Sequence, residues 1–435
     1  MYLRFIPGPA GGLNTTLSNI ATLSNFVSHN MPMPILQADQ ITDDDVEYYG
    51  LKIPFYNCTL FEFTPFEAGA WSGPASFTPT KYLGTTFSNG SPANSSKCVV
   101  GYDRAGYVQI LPLWCPPPDN ESSFMLGAAS AAANFWYIED LSNGTLAPFS
   151  KRTLGLPASL EKRESSLSTI AKRAILFPLA SLEPLIDAFQ QVFGLNLTQI
   201  AYATFPNPFP SITSKNLLLA DGSEAGQSIP LWSQIQPARK SSFILAWDDD
   251  QDQPPYSWNN GTNLYNTYLQ AKANGIAFPI IPPPTTFIHN NYTTKPAFFG
   301  CDPSLTTTKS TDSPIIFYMT NSPYSAYTNF SFFQTETSFS QMHDIFENGF
   351  SQITQGNGTL DREWPQCLGC AVVERSLAKV GMTRTKQCQS CFDRYCWDGT
   401  VYEGEVGVVD LPLVLDPGLS FAEWSKTHDF GGGGI

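Results

Sequence analysis

The sequence predicts an α/β fold, because apolar runs with the length of buried strands alternate with a longer stretch of helical composition. Residues 216–220 form one such run, and Asp221-Gly222 directly after it has the composition of a tight turn. Residues 243–247 predict a second strand, and residues 175–189 predict a helix. A carboxylate at a strand end occupies the position at which α/β hydrolytic folds place catalytic groups, so Asp221 is a candidate site residue.

The remaining elements follow along the chain. Residues 34–38 predict a strand, and residues 51–115 alternate short β-type runs with Gly/Pro turns. The small-residue run 127–136 predicts a helix. Residues 108–119 fit neither element, because three prolines follow an apolar run. They are equally well explained as a gene-model error and as a surface loop with a buried apolar root.

Charge and composition exclude one class of partner. The 435 residues carry a formal net charge of −14, with 42% hydrophobic and 14% charged residues. Phosphate neutralisation needs clustered Lys and Arg, so the balance excludes nucleic acid. An acidic surface is also repelled by anionic lipid, whereas transient contact with zwitterionic lipid or micelles is compatible with it. Oligomeric state is not predictable from the sequence.

Asparagine sequons are frequent, which favours a glycosylated protein that is secreted or placed at the cell surface or cell wall. No signal peptide is recognisable in the first residues, where the apolar run before Pro7 is too short. The candidate acceptors, each followed by X-Ser/Thr with X not proline, are Asn14, Asn57, Asn89, Asn94, Asn120, Asn143, Asn196, Asn260, Asn291, Asn329 and Asn357.

The nine cysteines allow two interpretations. Two C-x2-C pairs separated by seventeen residues match a four-cysteine zinc site. The sequons instead indicate an oxidising compartment, where disulfides are the default, and a further Cys396 suits a disulfide cluster better. Disulfides are therefore favoured over zinc. Setting aside Cys115 in the unusual segment, the disulfide candidates are Cys58, Cys98, Cys301, Cys367, Cys370, Cys388, Cys391 and Cys396.

Several motifs together resemble the fungal lysophospholipase (phospholipase B) family. They are residues 219–232 with the following 235–239 and 243–247, residues 30–35, 62–71 and 81–85, and the cysteine-containing residues 364–370 and 388–399. The resemblance implies a mixed sheet flanked by helices in a hydrolase-like three-layer domain of the cytosolic phospholipase A class. It also implies a disulfide-stapled C-terminal region.

The same resemblance implies a reaction. In that family a serine and an aspartate act as a dyad without histidine, and the position of the aspartate matches Asp221. The implied substrates are lysophospholipids or phospholipids, hydrolysed at an acyl ester without metal or other cofactor. Ser223 departs from the family pattern, because it replaces the second glycine of the usual Asp-Gly-Gly.

A nucleophile is not recognisable in the 435 residues, since no Gly-X-Ser-X-Gly motif occurs. We therefore expect residues 1–400 to be the C-terminal portion of a lysophospholipase catalytic domain with a truncated N-terminus, 107–126 to be a candidate insertion, and 401–435 to be a C-terminal tail. The alternative is an inactive truncated homologue, a secreted glycoprotein without the nucleophile.

Two further patterns favour structural interpretations. The acidic run 248–252 lacks the glycine and the terminal glutamate of an EF-hand loop, so a solvated acidic loop is expected. Glycines 431–434 at the C-terminus predict a flexible tail rather than an oxyanion loop.

Overall fold

The computed structural model describes residues 17–48, 50–55, 57–83, 87–88, 91–92, 134, 138, 202–250, 256, 258–330 and 337–430. The described residues up to Ala225 form one compact unit, here called unit 1, and those from Gly226 onward form unit 2. The predicted helices 127–136 and 175–189 and the insertion 107–126 lie largely outside the described residues, as do glycines 431–434.

Unit 1 is built on a six-stranded antiparallel sheet with the order β6-β5-β4-β1-β10-β9. Among the residues that the structure describes, two short hairpins, β2–β3 and β7–β8, and the short helix α1 accompany it. The elements are α1 (Ser24–Val27), β1 (Leu36–Ile41), β2 (Val46–Tyr48), β3 (Leu51–Ile53), β4 (Leu60–Phe63), β5 (Glu67–Ala70), β6 (Ser76–Pro79), β7 (Phe87–Ser88), β8 (Ser91–Pro92), β9 (Ala203–Pro206) and β10 (Asn216–Asp221), with 3-10 turns at Ser18–Thr22 and Thr80–Tyr82.

The core of unit 1 lies on one face of this sheet. Leu217 and Leu219 of β10 are buried there with Phe61 and Phe63 of β4, and the ring of Phe61 lies 5.6 Å from that of Phe209. Side chains two residues apart in a strand point to the same face, so the alternate leucines anchor β10 in the sheet. This packing fixes the position at which β10 ends.

Unit 2 holds a three-stranded mixed sheet with the order β11-β13-β12, in which β11 and β13 are parallel and β12 is antiparallel to β13. Every residue of the central strand β13 is buried, as a near-continuous apolar run predicts. The elements are β11 (Phe243–Asp248), α2 (Thr262–Ala273), α3 (Pro284–His289), β12 (Ala297–Phe299), β13 (Ile315–Thr320), α4 (Phe339–Ile353), α5 (Trp364–Lys379), α6 (Lys386–Tyr395) and α7 (Phe421–Trp424), with a 3-10 turn at Pro303–Leu305.

Three disulfides crosslink unit 2. Cys367–Cys391 and Cys370–Cys388 join α5 to α6, and Cys301–Cys396 joins the residues after β12 to the end of α6. The C-x2-C spacing places two sulfurs on one face of each helix, so the two helices are joined twice. The predicted disulfides are confirmed for these six cysteines, and the zinc alternative fails because their sulfurs are bonded in pairs. Cys58 lies half-buried before β4, and Cys98 and Cys115 lie outside the described residues.

The segment predicted as a C-terminal tail takes part in a core of unit 2. Val409, Leu413, Trp424 and Phe430 are buried in one cluster with Trp258. The tryptophan Trp424 is held by α7, which begins at a capping box between Ser420 and Glu423. Residues 409–430 therefore belong structurally to unit 2.

The predicted α/β fold class is confirmed, because both units contain sheets and the sheet of unit 2 packs against helices. β10 and β11 lie where the sequence predicts them, and β1 extends the predicted strand 34–38 to Ile41. The sheet of unit 2 is mixed and packs against α5 and α6, whereas that of unit 1 is antiparallel throughout. None of the described helices is long and apolar enough to cross a lipid bilayer.

Candidate active site

Asp221 is the last residue of β10 in unit 1. It pairs with Ala38 of the neighbouring strand β1, and the chain turns immediately after it. The side chain is half-buried, between the fully buried Ala220 and the turn. The sheet therefore holds this carboxylate at the end of a strand that is paired on both sides, β10, and the sequence predicts this position at a strand end.

The turn after β10 holds the Asp221 carboxylate in place. Ser223 donates to Asp221 Oδ1 from its backbone N–H at 2.8 Å and from its hydroxyl at 2.6 Å. Gly222 between them has no room for a side chain, because a Cβ atom would lie 2.5 Å from the carbonyl oxygen of Gln37 on β1. The first glycine of the motif is thus required by the close approach of β1, and the serine at the next position adds a hydrogen bond.

A second carboxylate holds the end of the turn. Asp39 of β1 is completely buried, and its Oδ2 accepts a hydrogen bond of 2.7 Å from the N–H of Ala225. A carboxylate bound to a backbone N–H is a strong, charge-assisted contact. Asp39 therefore fixes the path of the chain four residues after Asp221. Sequence analysis did not single out Asp39, since a lone acidic residue in a strand carries no local signal.

Glu224, also in this turn, is held by a buried amide. The Nδ2 group of Asn134 donates to Glu224 Oε2 at 2.7 Å and to the carbonyl oxygen of Lys52 at 3.1 Å. Tyr202 donates to the same carbonyl at 2.8 Å, and burial raises the pKa of its phenol further above the ordinary range. Asn134 thus links the turn to the backbone at Lys52. Neither Asn134 nor Tyr202 is recognisable as a site residue from the sequence.

The first residue of the acidic run 248–252 is not solvated as the sequence predicts, whereas Asp249 is exposed and residues 251–252 lie outside the described residues. Asp248 is fully buried and accepts hydrogen bonds from the hydroxyl of Tyr318 at 2.7 Å and from Asn259 Nδ2 at 3.0 Å. Burial raises the pKa of Asp248 to about 7, the nearby Asp250 carboxylate raises it as well, and the Tyr318 hydrogen bond acts in the opposite direction. The prediction is wrong for Asp248 because β11 continues through it into the interior.

Unit 2 also contains a cleft of about 570 Å³. It lies between the residues after α3 and the segment before α7, and Lys295, Tyr324, Asp361, Tyr395 and Leu413 are among its lining residues. None of the lining residues belongs to unit 1.

The chemistry available at Asp221 is proton transfer. A half-buried carboxylate held by its own turn can accept a proton from a hydroxyl placed within hydrogen-bond distance. Within the described ranges, no three His, Cys, Asp or Glu side chains are grouped so that they could hold a metal ion. The site consists of one carboxylate that the following turn holds in place.

The sequence matches the family model of the lysophospholipase catalytic domain over residues 2–110 and 191–402. These two ranges include β1, the turn after β10, and all three disulfides of unit 2. Asp221, Asp39 and Ser223 all lie within the matched ranges.

Curated fungal proteins are similar over most of the chain. Lysophospholipase 1 of Aspergillus fumigatus is 34% identical over an alignment of 432 positions, which covers 96% of this chain and 58% of that protein. Lysophospholipase 1 of Candida albicans is 34% identical over 403 residues, and lysophospholipase 2 of Candida albicans is 32% identical over 409 residues. They cover 89% and 91% of this chain. The chain spans 56% to 58% of the length of these three relatives.

Among solved structures, the human GIVD cytosolic phospholipase A2 matches 88% of this chain and 47% of its own, with 16% identity and a TM-score of 0.44. A likeness of this size adds no weight to the assignment, which depends on the sequence comparisons. The chain belongs to the lysophospholipase catalytic domain family.

Proposed function

We propose that this chain supplies the aspartate of a Ser-Asp dyad that hydrolyses acyl esters of lysoglycerophospholipids and glycerophospholipids. The relatives named above are lysophospholipases, and the described geometry around Asp221 is compatible with that chemistry. The observation that carries the proposal is the turn Asp221-Gly222-Ser223. The end of β10, the close packing of Gly222 against β1 and two hydrogen bonds from Ser223 hold the Asp221 carboxylate in one position.

In the proposed reaction Asp221 acts as general base and then as general acid. Its carboxylate takes the proton of the serine hydroxyl while the serine oxygen attacks the ester carbonyl. The same proton is returned to the glycerol oxygen as it leaves, and an acyl-serine forms. Water then attacks the carbonyl carbon of the acyl-serine and loses a proton to Asp221. Asp221 passes this proton to the serine oxygen as the bond to the acyl group breaks, which releases the fatty acid and restores the free serine.

The serine partner is expected on an elbow of the Gly-Leu-Ser-Gly-Gly type, and this motif does not occur in the 435 residues. The missing motif motivates a second candidate function, a non-catalytic homologue that retains the lipid-accommodating fold. Sequencing full-length transcripts of the gene separates the two. An exon that encodes such an elbow in frame with this chain supports the enzyme, and transcripts without one support the homologue.

A direct test measures fatty-acid release from lysophosphatidylcholine by the protein that the full-length transcript encodes. We expect Asp221→Asn to lower kcat/KM by about a thousandfold, since general base catalysis contributes roughly 10²- to 10⁴-fold. The matched control is Asp302→Asn. Asp302 accepts a hydrogen bond of 2.8 Å from the N–H of Ser304, two residues on, as Asp221 does from Ser223, but it lies in unit 2.

An unchanged kcat/KM for Asp221→Asn contradicts the dyad. An equal loss for Asp302→Asn shows that the effect comes from general destabilisation rather than from the chemistry. Activity must be measured on protein free of host esterases, because a trace of contaminating enzyme would hide the loss.

We also propose that the protein is secreted and glycosylated, and the exposure of the described sequons sharpens this. Asn57, Asn291 and Asn357 are exposed, whereas Asn260 is buried and Asn329 is only partly exposed, with its Nδ2 bonded to the Tyr256 carbonyl oxygen. We expect glycans on the first three and none on Asn260. Glycopeptide mapping of secreted protein checks this, and a fully occupied Asn260 would contradict it.

A further inference from the structure

Helix α4 in unit 2 is amphipathic in the reverse sense. Its buried residues are all polar or charged, namely Gln341, Asp344, Asn348 and Gln352. Its most exposed apolar residues are Phe339, Phe346 and Phe350, which are 91%, 69% and 58% exposed. A helix at the surface of a soluble domain ordinarily buries its apolar stripe and exposes its polar one. The arrangement in α4 needs an explanation on both faces.

The polar face is held by the backbone that follows β13. Asn348 Oδ1 accepts from the N–H groups of Tyr324 at 2.8 Å and Ser325 at 3.0 Å, and its Nδ2 donates to the Ser322 carbonyl oxygen at 2.9 Å. Gln352 Nε2 donates to the carbonyl oxygens of Thr320, at 3.1 Å, and of Ser322. Backbone groups that leave a sheet need such partners, and these amides supply them.

These bonds prevent α4 from turning its phenylalanines inward. A rotation about the helix axis would leave buried N–H and carbonyl groups without partners, which is strongly unfavourable. The start of the helix is also fixed, because Ser338 and Gln341 form a reciprocal capping box. The exposure of the three phenylalanines is thus a fixed property of the fold.

The three phenylalanines form a single stripe, here called the phenylalanine face. Their spacing of seven and then four residues places them within about 40° of one another around the helix. Gly349 beside the stripe has no atom within 4 Å of where a Cβ would be, so the surface there is open. The face is a narrow apolar ridge along one side of a 15-residue helix.

The size of this ridge argues against a second protein copy as its partner. Aromatic side chains bury roughly 150–250 Å² each, so three rings at these exposures offer roughly 300–550 Å². Stable protein interfaces bury about 800 Å² on each partner. A lipid surface has no such requirement, since each ring that enters the headgroup region contributes by itself.

The charges on α4 select the kind of lipid. The helix carries Asp344 and Glu347 and no Lys or Arg, and His343 lies 3.5 Å from Glu347, its neighbour one turn on. Binding to anionic lipid depends on cationic side chains around the apolar stripe. With none on the helix and a net charge of −14 on the chain, the charge pattern matches a zwitterionic surface.

We propose that the phenylalanine face of α4 docks the protein on zwitterionic lipid surfaces such as phosphatidylcholine bilayers or lysophosphatidylcholine micelles. The choice of a lipid partner rests on the proposed function, because lysophospholipids and phospholipids reach an enzyme mainly as aggregates. The docking itself requires no turnover, so it is measured separately from the Asp221 chemistry.

The test is equilibrium binding of the full 435-residue chain to phosphatidylcholine vesicles, measured by vesicle flotation. The variant combines Phe339→Ser, Phe346→Ser and Phe350→Ser. The control combines Val380→Ser, Met382→Ser and Val408→Ser, whose side chains are apolar and 61% to 70% exposed but lie outside α4. Urea unfolding of both variants shows whether they remain folded.

We expect the α4 variant to bind at least about tenfold more weakly, since three phenylalanine rings no longer enter the lipid surface. The control variant should stay within twofold, and binding should persist in 1 M NaCl. Asp221→Asn should bind as the unmodified chain does, so that loss of chemistry and loss of docking are distinguished.

Four outcomes would overturn the proposal. These are no binding by the unmodified chain, unchanged binding by a folded α4 variant, an equal loss in the control, and more than tenfold tighter binding to vesicles that contain phosphatidylglycerol. Sedimentation without lipid examines the remaining alternative. Self-association that the α4 substitutions abolish would assign the face to a second copy of the chain instead.

Discussion

Two strands of this protein end in an aspartate, and the two aspartates have different surroundings. Asp221 ends β10 in the antiparallel sheet of unit 1, is half-buried, and is held by the following Ser223. Asp248 ends β11 beside a parallel strand in unit 2 and is fully buried, with donors from Tyr318, Asn259 and Asp250. In the sequence both follow an apolar run of similar length.

The comparison shows that a perturbed pKa does not by itself identify a catalytic carboxylate. Burial raises the pKa of Asp248 to about 7, and the residue lies at the carboxyl end of parallel strands, where many α/β enzymes place their ligands. Both of its oxygens nevertheless accept hydrogen bonds from the protein, and no surface of the residue is exposed. We infer that Asp248 is structural and that Asp221 is the residue suited to proton transfer.

The largest effect expected from this comparison is on stability. Asp248→Ala leaves the Tyr318 hydroxyl without its buried acceptor and removes one of the two acceptors of the Asn259 amide. We therefore expect a loss of about 3 kcal/mol in the free energy of unfolding. Asp221→Ala at the half-buried strand end should cost less than about 1 kcal/mol. Urea unfolding of both variants measures the difference. A larger loss for Asp221→Ala would reverse the two roles.

A smaller effect is expected in the pH dependence of stability. The folded pKa of Asp248, about 7, lies above its ordinary value of 3.8, so the folded protein keeps a proton that the unfolded chain releases. Stability from this group is therefore present at low pH and is lost as the pH rises through 7.

The measurement compares urea midpoints of the unmodified chain and of Asp248→Asn between pH 5 and pH 8. The asparagine does not titrate, and the two proteins share all other carboxylates. A difference between their pH dependences therefore reports on Asp248. We expect the unmodified chain to lose more stability over this range than the variant does. Parallel curves would contradict a raised pKa at Asp248.

The smallest effect is expected at the turn itself. Ser223→Gly restores the Asp-Gly-Gly pattern and removes one donor to Asp221, while the backbone N–H at 2.8 Å remains. We expect kcat/KM for lysophosphatidylcholine to change less than about tenfold, because one hydrogen bond contributes roughly 0.5–1.5 kcal/mol. The control is Ser304→Gly in the corresponding turn at Asp302. A loss as large as that of Asp221→Asn would show that the hydroxyl takes part in the chemistry.

Much of the fold is predictable because strong local patterns determine it. The apolar runs predict β10 and β11, and the cysteines together with the sequons predict a disulfide-stapled C-terminal region. The pairing of the cysteines is not predictable, since it depends on how α5 and α6 face each other. The antiparallel order of the unit 1 sheet likewise depends on contacts between residues far apart in the chain.

The candidate site divides in the same way. Asp221 and its turn are visible in the sequence, because Asp-Gly after an apolar run is a local signal. The partners that hold the turn are not, since Asp39 and Asn134 lie 186 and 90 residues from the groups that they bind. The sequence predicts a solvated loop at Asp248, because only the tertiary fold brings Tyr318 and Asn259 to its carboxylate.

Covalent labelling of the serine partner detects whether Asp221 activates its hydroxyl, as proposed above. The protein encoded by the full-length transcript is treated with a fluorophosphonate, which reacts with activated serine hydroxyls, and the labelled peptide is identified by mass spectrometry. We predict stoichiometric labelling of one serine, lost in Asp221→Asn and retained in Asp302→Asn. Labelling that is undiminished in Asp221→Asn would contradict the claim.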